Sequence, residues 1–468
     1  METLRLDQLK ITNFRCFGTC EVNLHPKLTV LVAENGQGKT GILDAVAIAL
    51  GPIVDQLAGT RQWDGVSAGD VRKTRLADGE MAANSPTTIV AEGMFDGEIL
   101  RWSLTRTSAS IRSRTSTSQL KTLRLRTKAV RERLDNNATG EHHIQSPLPL
   151  IAYYGTGRLW AEERLTITRR RNSEAPIGRR SGYLDFASST SSFKTFSSWY
   201  GDMAFQLRSS TLTAVNADDS PARFLSCVRQ AVSVVLEPTG WSTLDWEWIA
   251  PLRDTGDRWR REGYVVLEHV HHGRHPLSRM SDGVRNTVAL VADIARRCVR
   301  LNPQLGEAAA QLTPGVLLID EIDMHLHPGW QQQVVELIQQ AFPLLQFIFT
   351  THSPQVLSTV SRESIRIISI SNGDCTLDLP QYQTRGVESA DVLARVMGVH
   401  SIPQMEETHW LSRYRSLIQQ GSHEIPEAID LWDRLLDHFG SEHPVMQEID
   451  ALKRFQHFKY LHSAKVAE

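Results

Sequence analysis

Residues 28–50 read LTVLVAENGQGKTGILDAVAIAL: an apolar run, a glycine-bearing turn, then Ile42, Val46 and Ala49 recurring at helical spacing. Strand, loop and helix in that order suit a phosphate-binding loop. In Asn35-Gly36-Gln37-Gly38-Lys39-Thr40-Gly41 the glycines let successive backbone N–H groups wrap phosphates at a helix N-terminus. Lys39 then reaches the β- and γ-phosphates of a nucleoside triphosphate, and Thr40 places its hydroxyl on Mg²⁺. Ala33 stands where a first glycine is expected. A methyl at the strand exit is tolerable, and the half of the loop that touches phosphate is intact. A plain strand-to-helix turn is the bland alternative.

Three further motifs lie far along the chain. Val316-Leu317-Leu318-Ile319-Asp320-Glu321 is an apolar run ending in two carboxylates. It predicts a buried central strand with its acidic end beside the P-loop. There Asp320 would bind Mg²⁺ through water, and Glu321 would orient or deprotonate the attacking water. Leu277-Ser278-Arg279-Met280-Ser281-Asp282-Gly283-Val284-Arg285 sits at a predicted helix start. Taken alone, its Ser-Asp-Gly is only a helix N-cap. Thr350-Thr351-His352-Ser353-Pro354 ends the next apolar strand and points to the same crevice, a satisfied loop histidine being the plain alternative.

In this order and spacing the motifs resemble the ABC-type ATPases of the SMC, RecF and OLD group. The resemblance covers roughly residues 1–100 and 265–400. Leu9-Lys10-Ile11-Thr12-Asn13-Phe14-Arg15-Cys16-Phe17 is similar to the opening of RecF- and OLD-like heads. Ile319-Asp320-Glu321-Ile322-Asp323-Met324-His325-Leu326-His327-Pro328, followed by Trp330-Gln331, is similar to a run in bacterial OLD-like defence ATPases. Tyr153-Tyr154-Gly155-Thr156-Gly157-Arg158 resembles a segment of the same group that stands in for the Q-loop. The nearest resemblance is to the PtuA family, the ATPase subunits of Septu anti-phage systems.

The resemblance implies roles. Ser281, Asp282 and Gly283 form the signature motif, whose hydroxyl and N–H groups bind the γ-phosphate held by the other copy. His352 is the switch histidine that senses γ-phosphate, and Arg15 approaches the nucleotide. Glu321, His352, Ser281 and Asp323 make up the implied catalytic set. ATP and Mg²⁺ are the implied cofactors, in sites that form only when two copies meet head to tail, as a dimer or a higher homo-oligomer. His325 and His327 belong to the family's D-loop region rather than to a zinc site. The implied function is an ATP-hydrolysing subunit that gates a separate HNH-type nuclease by nucleotide state. Two other readings stay open: a RecF-like DNA-repair ATPase, and a nucleotide-sensing scaffold with negligible hydrolysis.

The fold class expected is α/β, an ABC-type head with a mixed or parallel sheet. Four regions follow: an N-terminal lobe at 1–100, a helical, basic insertion at 101–264, a C-terminal lobe at 265–400 and a helical tail at 401–468. At 468 residues, 41% hydrophobic and 22% charged, the chain suits two or three soluble lobes. No apolar run is expected to span a bilayer, and five cysteines without a CxxC pair read as free thiols of a cytoplasmic protein, Cys16 and Cys20 as small buried hydrophobes. Net charge is only −2, yet basic residues cluster between Arg101 and Asp135 and again at Arg169, Arg170, Arg171, Arg179 and Arg180. These are either a solvated face or a DNA-binding surface, with Arg169, Arg170 and Arg171 the candidate contacts. The SMC-type coiled-coil arms and a Toprim nuclease are not expected, so DNA cleavage would come from a partner. The aromatic-rich tail would either pack on the core or dock that partner.

Overall fold

The computed structural model describes residues 4–61, 63–116, 118–136, 146–158, 178–187, 193–213, 220–249, 263–399 and 404–466. Their strands are β1 (Leu4–Phe14), β2 (Phe17–Asn23), β3 (Leu28–Val32), β4 (Lys73–Arg75), β5 (Met81–Ala83), β6 (Thr87–Phe95), β7 (Glu98–Arg106) and β8 (Leu150–Tyr154). Then come β9 (Trp241–Trp248), β10 (Gly263–His269), β11 (Gly273–Pro276), β12 (Gly315–Ile319), β13 (Leu345–Thr350), β14 (Ile365–Ser371) and β15 (Asp374–Asp378). The helices run α1 (Lys39–Ala58), α2 (Lys121–Asn136), α3 (Phe193–Thr213), α4 (Ser220–Leu236), α5 (Asp282–Leu301), α6 (Ala309–Leu312) and α7 (Pro328–Gln331). They continue as α8 (Val334–Ala341), α9 (Pro354–Leu357), α10 (Ser389–Arg395), α11 (Glu406–Gln419), α12 (Pro426–Phe439) and α13 (Pro444–Val466).

The LTVLV run became β3 because a strand apolar at every position must be covered on both faces, and all five residues are buried. It lies inside a ten-stranded mixed sheet of order β7-β6-β1-β2-β15-β14-β3-β13-β12-β8. The block β14-β3-β13-β12-β8 is parallel throughout. That brings the C-terminal ends of β3, β13 and β12 side by side, where open parallel sheets bind ligands.

β8 is the addition to the expected lobes. Leu150–Tyr154 lies inside the stretch read as an insertion, yet its five buried residues form the edge of the central sheet beside β12. β6 and β7 pair as an antiparallel hairpin, and β10 and β11 as another that turns just before Gly273. α1 is twenty residues long and apolar enough by composition to cross a membrane, contrary to the expectation that no run would qualify. It is mostly buried in the protein, so its apolar character is that of a core helix: Trp102 on β7 donates through Nε1 to Ala49 O at 2.9 Å.

The chain forms two compact units, dividing between Val392 and Leu393. In the second, α11, α12 and α13 pack around Tyr414, Leu417, Ile418, Leu431, Leu435 and Ile449. Part of the tail's apolar face is therefore buried in its own core. Leu436, Phe455 and Phe458 remain exposed.

Candidate functional site

The P-loop begins where β3 ends. Gly36 and Gly38 hold φ of 80° and 82°, the left-handed region that a side chain resists. At Gly38 a Cβ would collide with the Phe17 ring and stand 2.7 Å from Cys16 Sγ, so β2 forms a floor under the loop. Above Gly36 nothing lies within 4 Å of a built Cβ, leaving open space on the exposed side. Lys39 Nζ donates to Ala33 O at 2.7 Å and Glu34 O at 3.0 Å. Burial lowers the pKa of its ammonium, while Asp320, Glu321 and Asp323 act against that shift.

Asp320 is buried at the end of β12 and is the centre of the site. It accepts from Thr40 Oγ1 at 2.9 Å and from Thr350 Oγ1 at 2.5 Å. Thr40, 280 positions before Asp320, and Thr350, 30 positions after it, thus meet on one carboxylate. The Thr350 hydroxyl also accepts from Glu321 N at 2.7 Å. Glu321 itself has φ 49° and is half-buried. Asp323 accepts from Thr351 Oγ1 at 2.5 Å, and Ser353 Oγ donates to Gln331 Oε1 at 2.7 Å. The loop after β12 is therefore laced to the loop carrying His352, a half-buried residue between Thr351 and the α9 N-cap Ser353.

Arg15 sits at φ 51° beside the loop. Its guanidinium pairs with Asp44 and, through Nε, with Asp70 at 2.9 Å. Burial works to lower the Arg15 pKa, but the two carboxylates raise it overall. Burial in turn pushes the Asp44 carboxyl up, against the pull of Arg15 and a hydrogen bond from Tyr153. Tyr153 opens the segment that resembles a Q-loop stand-in, whereas Asp44 and Asp70 are site residues that no motif marked. The one available signal was Asp44 lying one turn after Thr40 on the same face of α1.

Ser281 occupies the N-cap of α5 but makes no capping bond through its side chain, and Ser281 and Asp282 are exposed. Gly283 is buried against the loop after β12: a Cβ there would stand 2.5 Å from His325 O. Within one chain the signature segment thus adjoins the loop carrying His325, itself at φ 62°. Farther along α5, Tyr154 Oη at the end of β8 donates to Asp293 at 2.8 Å. Asp293 also pairs with Arg296 and Arg297.

Parts of the basic stretches are occupied structurally. Arg126 pairs with Glu98, Arg133 with Asp96, and Arg106 donates to the carbonyls of Val66, Ser108 and Ser110. Arg179 donates to Leu301 O and Asn302 Oδ1. Arg169, Arg170 and Arg171 lie outside the described residues.

The group implied here is Mg²⁺ with ATP, and the residues fit it. The open glycine turn, a lysine facing three carboxylates, and a hydroxyl already on Asp320 are the donor set such a complex uses.

Comparison with known proteins places the chain among ATPases. Residues 28–358 match the family model described as "AAA domain, putative AbiEii toxin, Type IV TA system". The chain is 26% identical to "Retron Vc95 probable ATPase" of Vibrio cholerae serotype O1 biovar El Tor, across 89% of this chain and 84% of that one. It is 27% identical to "Septu protein PtuA" of Bacillus thuringiensis across 38% of this chain and 46% of the relative, so it spans less than half of that protein. Among solved structures, the SMC head domain from Thermotoga maritima aligns over 81% of this chain and 100% of its own, at 15% identity and a TM-score of 0.40. The family model and these two relatives carry the resemblance to ATPases related to PtuA. With more than half its length matched, the chain belongs to the AAA-domain ATPase family of that model.

Proposed function

We propose that this protein is the ATP-binding and ATP-hydrolysing subunit of a cytoplasmic anti-phage defence complex, whose nucleotide state gates a separate HNH-type nuclease. The observation that carries the reading is the meeting of Thr40, Asp320 and Thr350 at the ends of three adjacent parallel strands or their loops. In this reading Asn35 to Gly41 wrap the phosphates with backbone N–H groups. Lys39 leaves the loop carbonyls to face the β- and γ-phosphates. Thr40 and Asp320 would hold Mg²⁺, which when bound would offset phosphate charge. Glu321 orients the attacking water and accepts its proton, with His352 and Asp323 bordering the γ-phosphate.

Ser281, Asp282 and Gly283 complete the site of a second copy, in a head-to-tail dimer or a higher homo-oligomer. An N-cap serine whose hydroxyl makes no capping bond supports that role. Within 101–264, β7 and β8 belong to the head sheet, and the stretches that follow each of them are the insertions, with Arg169, Arg170 and Arg171 the DNA contacts. The relatives' names, a retron probable ATPase and a Septu protein, support the defence setting. The test is phosphate release from Mg-ATP by the purified protein, alone and with the product of the neighbouring gene, followed by a DNA-cleavage assay with and without ATP. Turnover that Lys39→Ala abolishes, and cleavage only in the joint complex, are expected. Wild-type turnover in Lys39→Ala would exclude this site as the ATPase centre.

A further inference from the structure

Three cysteines come together beside the P-loop: Cys16 in the turn between β1 and β2, Cys20 on β2 and Cys375 on β15. Two of them are paired by the sheet. β15 runs parallel to β2 with Asp374 opposite Thr19 and Cys375 opposite Cys20. Directly opposed residues project from the same sheet face, and neighbouring strands lie about 4.8 Å apart. That spacing falls inside the Cα separation a disulfide spans, roughly 4.4–6.8 Å.

The register is pinned on both sides of the pair. Gly18 N donates to Gly373 O at 2.5 Å, and Thr19 Oγ1 donates to Asp374 Oδ1 at 2.7 Å. Asn372 and Gly373, both at positive φ, form the tight turn that delivers β15 to β2. The two thiols differ in access: Cys20 is buried and Cys375 half-buried.

We propose that Cys20 and Cys375 are a peroxide-responsive dithiol that closes to a disulfide between β2 and β15. The Cys375 thiolate attacks hydrogen peroxide, breaking the O–O bond. The thiol is oxidised to a sulfenic acid, and the peroxide is reduced to water. Cys20 sulfur then attacks the sulfenic sulfur, the S–S bond forms, and the hydroxyl leaves with the Cys20 proton as a second water.

The electrostatics agree with this division of labour. A hydrogen bond from Cys20 holds the Cys375 thiol below its usual range and pushes the Cys20 thiol up. The accessible partner is thus the better thiolate, and its covered neighbour is placed to resolve it. Cys16 is the rival. Its sulfur lies beneath Gly38, and burial pushes its thiol up, so it is the weaker nucleophile.

The experiment uses the full, reduced chain. It is treated with one equivalent of hydrogen peroxide, its free thiols are blocked in denaturant, and it is digested without reductant. The expected product is a peptide pair joined through Cys20 and Cys375, released by dithiothreitol and missing from Cys375→Ser. In Cys20→Ala the Cys375 sulfenic acid should persist and be trapped by a cyclic dione. Should that buried substitution prevent folding, a time course on the wild type should label Cys375 before the disulfide accumulates. Folded wild type that keeps both thiols free under peroxide, or that oxidises Cys16 first, would overturn the proposal.

Discussion

At the scale of single residues, Glu321 holds a conformation that side chains other than glycine's avoid, at a cost of about 1–3 kcal/mol. The surroundings over-determine it: Thr350 accepts the Glu321 N–H through its hydroxyl and the Ile322 N–H through its carbonyl at 3.0 Å. Glu321→Gln keeps this frame and its shape while removing the base. Nucleotide should bind and stay, with turnover falling by roughly 10²–10⁴ in a phosphate-release assay. Wild-type turnover would assign water activation to another group. The positions of Lys39, Thr40, Asp320 and Glu321 were legible because each motif is local, with glycines before a helix or carboxylates after an apolar run. The Thr350 hydroxyl as shared partner of Asp320 and Glu321 was not, because it depends on strand order.

Among elements, α5 joins the exposed signature end to a buried charge network. Ser281→Arg should leave ATP binding intact and remove hydrolysis, because the bulky cation would enter the partner copy's site. Normal hydrolysis by that variant would rule out shared sites. Three turns on, burial disfavours the Asp293 carboxylate, but Arg296 and Arg297 hold its pKa well below the ordinary range. A depressed folded pKa stabilises the fold above the unfolded value of about 3.9 and loses that contribution as pH falls through and below it. Thermal melts from pH 7 to 3 should therefore show a steeper acid loss for wild type than for Asp293→Asn. The variant should start about 3–5 kcal/mol less stable at pH 7, with two arginines left uncompensated. Equal acid slopes would remove Asp293 from the account. β8 escaped the sequence reading for a related reason: LIAYY is only five residues long, between Pro149 and Gly155, and only its pairing with β12 marks it as core.

For the whole molecule, the tail is the separable part. The second unit has its own apolar centre in Tyr414, Leu417, Leu431 and Leu435. If the tail docks the proposed nuclease partner, deleting 405–468 should leave a soluble protein that binds ATP and self-associates but no longer co-purifies with that partner. A partner still bound to the truncation would move the docking surface to residues 101–264. Replacing Arg169, Arg170 and Arg171 by alanine should weaken DNA binding and flatten its salt dependence, by up to about one log unit of slope per lost contact. An unchanged slope would return them to the solvent.

The sheet order also sets a timetable. β3 is made early, yet both its neighbours come late: Leu28 pairs with Phe347, and Val30 with Ile365. At a synthesis rate of about 5–20 residues per second, the ribosome needs roughly a quarter of a minute to a minute to deliver them. Until then LTVLV is an uncovered apolar strand with two open edges, and the P-loop behind it has no walls. Slow translation of the middle of this chain should lower its soluble yield, and chaperones that shield nascent apolar segments should restore it.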